Sequence, residues 1–220
     1  MQKWIHALPR DSPEKRIHVA NLQEELLRTV RDLAHLSGIG EQGFVFSHND
    51  LLSGNVIVNT QSCHKARTIE DVSFIDYEYS APAPAAFDLA NHFAEWGGFE
   101  CKYEQLPTRS QRRGFIQEYL RSYRAHKDAA AIPNGNSHQL GYDESSTEFF
   151  ETIDRFRGVP GLYWGIWALI QAIISDIDFD YTSYAEKRLN EYWCWRAEED
   201  GSRLKGGQDM PMREQRWHEE

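Results

Sequence analysis

Cysteine is scarce in this chain. The three present, Cys63, Cys101 and Cys194, are odd in number and far apart, with no C-x-x-C pair to make a metal knuckle or a redox dithiol. That usage fits a reducing compartment. Long apolar runs are missing too. The longest, "VPGLYWGIWALIQAII", is interrupted by Pro160 and Gln171 and falls short of the roughly 20 residues that cross a bilayer. The start, "MQKWIHALPRD", turns charged before an apolar stretch develops, so it lacks the hydrophobic segment of a secretory leader. Basic residues are outnumbered: 24 Lys and Arg against 34 Asp and Glu give a formal charge of −10, and no Lys/Arg-rich block offsets it locally. A nucleic-acid backbone would be repelled, which sets that class of partner aside. The expectation is a soluble, cytoplasmic protein, since 220 residues with 40% apolar content can bury one good core.

Ser12 and Pro13 open a helix in the order of cap and then first-turn proline, and Leu22, Leu26, Val30 and Leu33 mark its apolar stripe to a stop at Gly38. "FVF", "NVIVN" and "VSFID" are short β-rich runs, which predict a small sheet or hairpin over residues 44 to 76. Everything after it reads as helical. "AFDLANHFAEW" puts Leu89, Phe93 and Trp96 on one face, "RRGFIQEYLRSY" does so with Phe115, Tyr119 and Tyr123, and "TEFFETIDRF" with Phe149, Ile153 and Phe156. "AAIPNGNSHQLGYDESS" predicts a mobile loop between the last two. Further helices near 160 to 176 and 181 to 199 precede a Gly-rich, mixed-charge stretch, residues 201 to 220, expected to be a solvated polar tail. The class is mainly α with a small β-hairpin or sheet (α+β).

Two phosphate-handling signatures lie back to back in "GIGEQGFVFSHNDLLSGN". Gly38, Gly40 and Gly43 spell G-x-G-x-x-G; His48, Asp50 and Asn55 spell H-x-D-x-x-x-x-N. A dinucleotide loop must follow a strand and open a helix, and here a helix precedes and a strand follows. A kinase glycine loop leads to a strand bearing a lysine, and "FVFSHND" has none. Gly38 therefore reads as a helix cap, Gly40 and Gly43 as turn residues. The second signature is better placed. "FVF" delivers a loop and "NVIV" resumes a strand, so Asp50 and Asn55 share one tight excursion, and Asp76 follows at the end of the next apolar run. Phosphoryl transfer to an alcohol needs a carboxylate to take the hydroxyl proton and hard oxygen ligands for magnesium. Asp50 suits the first task, and Asn55 and Asp76 the second. A loop cap and a metal hydrolase built on His48 and Asp50 are the competing readings.

At "FIDYEYSAPAPAAFDLANHFAEW" the sequence resembles the choline/ethanolamine kinase family. His48, Asn49, Asp50 and Asn55 match its "HND....N" loop, and Ile75, Asp76, Glu78 and Tyr79 its "IDxEY". Phe87, Asp88, Asn91, His92, Phe93, Glu95 and Trp96 match "FDxxNHFxEW"; Trp164, Gly165, Trp167 and Gln171 match "WGxWxxxQ". Asp178 to Tyr181, Tyr184 and Ala185 complete the match. The similarity covers roughly residues 44 to 195, and its wording is nearest to ethanolamine kinases of fungi. It implies the C-terminal lobe of a protein-kinase-like (choline/aminoglycoside kinase) fold over residues 1 to 200, and an alcohol kinase using ATP and Mg2+. It also implies roles: Glu95, Tyr79, Trp164, Trp167 and Tyr184 for substrate, with His48, Glu78, Asp88 and Asn91 supporting the loop. On pattern alone the Asp88, Asn91, His92 and Glu95 stripe would be a solvated face and the Trp164/Trp167 pair ordinary core.

"GGFEC" follows Glu95 and Trp96 where choline kinases of this kind tend to place a tyrosine, and Glu100 lies nearby instead. That tilts the expected substrate toward ethanolamine, whose N–H donors want acceptors. Residues 1 to 43 supply one helix and none of the strands or the lysine of the family's N-terminal ATP-binding lobe. The expected partners are therefore a small amino alcohol, ATP, and either the missing lobe or a second copy in a homodimer. A catalytically idle amine-binding lobe is the alternative.

Overall fold

A computed structural model describes residues 1–36, 38–40, 42–59, 71–130 and 144–220. The expected mobile loop lies mostly outside them, as does Cys63. A short helix α1 (Gln2–Ala7) precedes the predicted one, α2 (Pro13–Leu33). Ser12 caps α2 as anticipated, its side chain accepting from Lys15 N at 3.2 Å. The buried face is Val19, Leu22, Leu26, Thr29 and Leu33, a 3–4 spacing that leaves Val30 exposed. The helix ends before Gly38. That glycine instead admits a close crossing of the chain, since a Cβ on it would meet Gly43 O at 2.5 Å. Gly40 and Gly43 turn at φ +96° and +82°, the left-handed region glycine enters without cost.

Among the described residues the β structure is two separate antiparallel pairs. Strands β2 (Val56–Asn59) and β3 (Asp71–Phe74) form the expected hairpin, with Val56 opposite Phe74. Strand β1 (Val45–Ser47) pairs elsewhere, with β4 (Ala81–Ala83), Val45 opposite Ala83 and Ser47 opposite Ala81. "APA" does not read as a strand because Pro82 lacks a donor. It is tolerated here because the pair has only two strands, so a proline can face outward. The consequence is geometric: β1 and β4 set the loop after Ser47 beside the turn that ends at Ser80.

The rest is helical: α3 (Ala85–Glu95), α4 (Arg109–Ala130), α5 (Glu144–Phe156), α6 (Val159–Ile174), α7 (Tyr181–Glu199), α8 (Ser202–Lys205) and α9 (Met212–His218). Phe149, Ile153 and Phe156 are buried as expected, while α4 turns Ile116 and Leu120 inward and leaves Phe115 partly exposed. Helices α6 and α7 pack most closely. A Cβ at Gly161 would meet Arg188 O at 2.5 Å and one at Gly165 would meet Leu189 Cγ at 2.7 Å, so the G-x-x-x-G spacing lets the two backbones approach. Across α7, the Tyr192 hydroxyl lies 2.8 Å from Thr29 Oγ1 and donates to Glu25 Oε2 at 2.7 Å, fastening α2 to the bundle.

Residues 201 to 220 are not a solvated tail. Arg213, Glu214 and Trp217 on α9 are buried, Trp217 at 1% exposure. Its indole N–H donates to Asp154 Oδ1 at 2.8 Å and the Arg112 guanidinium lies 4.1 Å above its ring. The charges that suggest solvent in the sequence are paired with charges on other helices: Glu214 with Arg157 at 2.9 Å, and Arg157 with Glu199 at 3.0 Å. Among the described residues no helix is long and apolar enough to cross a membrane.

Candidate active site

The loop after β1 is held from behind by α3. Asp88, in that helix's first turn, accepts from His48 N at 3.0 Å and Asn49 N at 2.7 Å. Asn91, one turn on, donates to Asn49 O at 2.9 Å. Asn49 itself sits at φ +63° and ties the loop to the β3–β4 turn by donating to Tyr79 O at 2.9 Å. Asp76 has a similar left-handed backbone, φ +65°. Two non-glycine residues in this region, each costing about 1 kcal/mol or more, mark a constrained corner. The bonds also fix the His48 tautomer. Nε2 faces the Ile75 carbonyl at 2.9 Å and so carries the proton; Nδ1 accepts from Asp50 N at 3.3 Å. His48 is thus a brace whose two ring nitrogens are both occupied.

In front of this frame lies a cavity of about 300 Å³ lined by Asp50, Leu52, Asn55, Asp76, Glu78, Tyr79, Glu95, Phe99, Trp164, Trp167 and Tyr184. One side is acidic. Asn55 spends its amide nitrogen on Asp50, donating to the backbone oxygen at 2.8 Å and toward Oδ2 at 3.3 Å, which leaves its amide oxygen for another partner. The other side is aromatic. Trp164 meets Tyr79 and Trp167 edge to face, each at 5.4 Å between ring centres. Both indole N–H groups are used, Trp164 donating to Asn91 Oδ1 at 2.7 Å and Trp167 to the Tyr79 hydroxyl at 2.9 Å. The rings are therefore fixed and their faces remain for a ligand.

Charge is unevenly distributed. Burial pushes the Asp50 carboxyl up to about 7, and the nearby Glu95 and Asp76 carboxylates push the same way. Burial also raises Glu95, against the opposing pull of Arg188, whose Nη2 lies 3.2 Å from Glu95 Oε1. This crowd of hard oxygens, without thiol or imidazole, suits a magnesium ion. Among the described residues no group of three or more His, Cys, Asp or Glu side chains closes a complete cage. Magnesium bound there would keep places for water and phosphate oxygens, as that ion prefers.

A model of the choline/ethanolamine kinase family matches residues 1–193. The chain belongs to this family. A probable ethanolamine kinase of Arabidopsis thaliana is 35% identical over 169 residues, 77% of this chain and 40% of that protein. A probable choline kinase of the same plant is 29% identical over 160 residues, 70% of the chain and 40% of its own length. Among solved structures, an ethanolamine kinase of Plasmodium vivax is similar at a TM-score of 0.55 and 27% identity, over 80% of this chain and 38% of that one. The helix-rich architecture with small antiparallel sheets is thus the protein-kinase-like fold. The chain spans about 40% of the length of these two plant relatives.

Of the positions that the family motifs single out, Asp50, Asn55, Asp76, Tyr79, Glu95, Trp164, Trp167 and Tyr184 come together in the cavity. Glu78, assigned to loop support, lines it too, while His48, Asp88 and Asn91 stand behind the wall. Glu95 is not a free carboxylate: it is 7% exposed and paired with Arg188. Glu100, expected near the substrate, turns to Lys102 in solvent, and Phe99 takes the wall position. Arg188 and Phe99 escaped the sequence reading. Arg188 lies within "YAEKRLNEYW", where it resembles any solvated helix cation; only its i−4 relation to Tyr184 carried a signal. His92, a motif residue without an assigned role, donates from Nδ1 to Leu51 O at 2.7 Å and braces the far end of the loop.

Proposed function

We propose that this chain forms the alcohol and metal side of an ethanolamine kinase, acting as the C-terminal lobe of a two-lobed site. The observation that supports it is one cavity holding Asp50, Asn55 and Asp76 opposite an aromatic wall with a buried carboxylate. Asp50 takes the proton from the ethanolamine hydroxyl; a carboxyl held near neutrality by its neighbours is well matched to that task. Asn55 and Asp76 would hold magnesium, which supplies charge neutralisation on the transferring phosphoryl group. The primary ammonium sits against the Trp164, Trp167 and Tyr184 faces, worth about 0.5–2 kcal/mol together with desolvation, and reaches Glu95 as acceptor. His48, Asp88 and Asn91 keep the loop in register. ATP is the phosphoryl donor; among the described residues the elements before β1 are the helices α1 and α2, with no strand pair to cover its phosphates. The setting is cytoplasmic.

Choline is the second reading, favoured by Phe99, a ring on the cavity wall in addition to Trp164, Trp167 and Tyr184. The test is formation of phosphoethanolamine or phosphocholine from ATP and magnesium, followed by phosphorus NMR. It is run on the chain alone and on the chain joined to the N-terminal portion of a relative. The joined protein should turn over ethanolamine with the higher kcat/KM, and the chain alone slowly or not at all. Turnover of neither amine by the joined protein would leave only an amine-binding lobe.

A further inference from the structure

Glu95 lines the cavity yet is only 7% exposed, and its Oε1 makes no directed hydrogen bond despite lying 3.2 Å from Arg188 Nη2. Arg188 is itself 1% exposed and divided between two acids, with Nε 3.3 Å from Glu191 Oε2. Its guanidinium also lies 5.8 Å from the Tyr184 ring centre, so it touches two parts of the cavity wall. Glu191 has a second cation, Arg213 of α9, at 3.8 Å, and Arg213 in turn meets Glu214 at 2.9 Å. Glu214 closes the series on Arg157. Three carboxylates, Glu95, Glu191 and Glu214, thus alternate with three guanidiniums, Arg188, Arg213 and Arg157. The series runs from the cavity to the last helix.

We propose that Arg188 is a positioning residue for the amine: it keeps Glu95 ionised with an unbonded oxygen at the cavity wall, and Arg213 supports it through Glu191. The ligand class, a primary ammonium, rests on the function proposed above. Burial works against the Glu95 charge, and the groups facing it are Arg188, Glu191 and Tyr184 on α7 and Asp50 on the loop. Arg188 is the one cation in that set. Without Arg213, Glu191 would draw Arg188 toward itself, and Glu95 would take up a proton. A protonated Glu95 offers the ammonium no full charge. Neither arginine needs to touch substrate for this.

The test uses the chain with 13C-labelled glutamate carboxyl groups, the Glu95 resonance being assigned by its loss in Glu95→Gln. Its titration is followed in wild type, Arg188→Lys, Arg188→Met and Arg213→Met, with ethanolamine binding read from fluorescence of the cavity tryptophans. In wild type Glu95 should stay ionised through neutral pH. Arg188→Met should raise its midpoint and weaken ethanolamine binding by about tenfold for each pH unit of that rise. Arg213→Met should do the same to a smaller degree, and Arg188→Lys should restore part of the loss. An unchanged Glu95 midpoint in Arg213→Met and Arg188→Lys would overturn the proposal even if Arg188→Met fails to fold. Raised midpoints with unchanged affinity would overturn it as well, leaving a structural ion pair. A wild-type chain that binds no ethanolamine, yet shows the raised midpoints in the variants, would overturn the amine reading and support the hold on Glu95.

Discussion

Trp164 donates its indole N–H to the Asn91 amide oxygen at 2.7 Å, and the same amide donates onward to Asn49 O at 2.9 Å. One side chain, fully buried on α3, thereby couples the aromatic wall to the acidic loop. Replacing Asn91 by leucine strands a buried donor on one side and a carbonyl on the other, at about 1–3 kcal/mol for each. Urea unfolding should therefore place Asn91→Leu about 2–6 kcal/mol below wild type, and a loss of under about 1 kcal/mol would contradict the coupling.

Asp50→Ala, in a protein with both lobes, should lower kcat by about 10² to 10⁴ while amine affinity changes little. Steady-state kinetics paired with equilibrium binding separate the two effects. Near-normal turnover would remove Asp50 from the role of base.

The α6–α7 contact makes an opposed pair of glycine predictions. Gly161→Ala drives a methyl group into Arg188 O and should cost about 1–3 kcal/mol. Because the displaced residue is Arg188, ethanolamine binding should weaken too. Gly114, on α4, has nothing within 4 Å of the position its Cβ would take, so Gly114→Ala should stabilise by about 0.4–1 kcal/mol. Thermal melts of both variants check the sign.

The docking of α9 should be acid-sensitive. Burial alone would raise the Glu214 carboxyl, but Arg213 and Arg157 more than offset it, and its pKa lies below the ordinary 4.5. A depressed carboxylate contributes stability that is fully present above its unfolded pKa and is lost as pH falls through the folded value. Fluorescence of Trp217, which shares the α9 interface, should report undocking only below about pH 4.5. In Glu214→Gln Arg157 and Arg213 lose their shared partner but keep Glu199 and Glu191, so α9 should already be loosened at neutral pH, by less than the about 3–5 kcal/mol of a fully orphaned buried charge.

Local pattern made the helices legible wherever a stripe met a cap: Ser12 with Lys15, and the Phe149, Ile153, Phe156 face. The acidic loop was legible because Asp50, Asn55 and Asp76 are close in sequence and bound to strand ends. What escaped depends on partners far along the chain. Pro82 joins a strand only because β1 is there to pair with it, and Trp217 is buried only because Arg112 and Asp154 receive it. Arg188 backs the cavity wall at Glu95 only because Gly161 lets α7 approach.

The bond between Thr29 and Tyr192 spans 163 positions, and its consequence falls on the ribosome. At the usual pace of synthesis α2 waits roughly ten to thirty seconds for the helix that covers it. Throughout that interval Leu22, Leu26 and Leu33 lack the part of their shared core that Leu189, Tyr192 and Trp195 supply, leaving a greasy ridge for nascent-chain chaperones, and yield in a cell should track their supply.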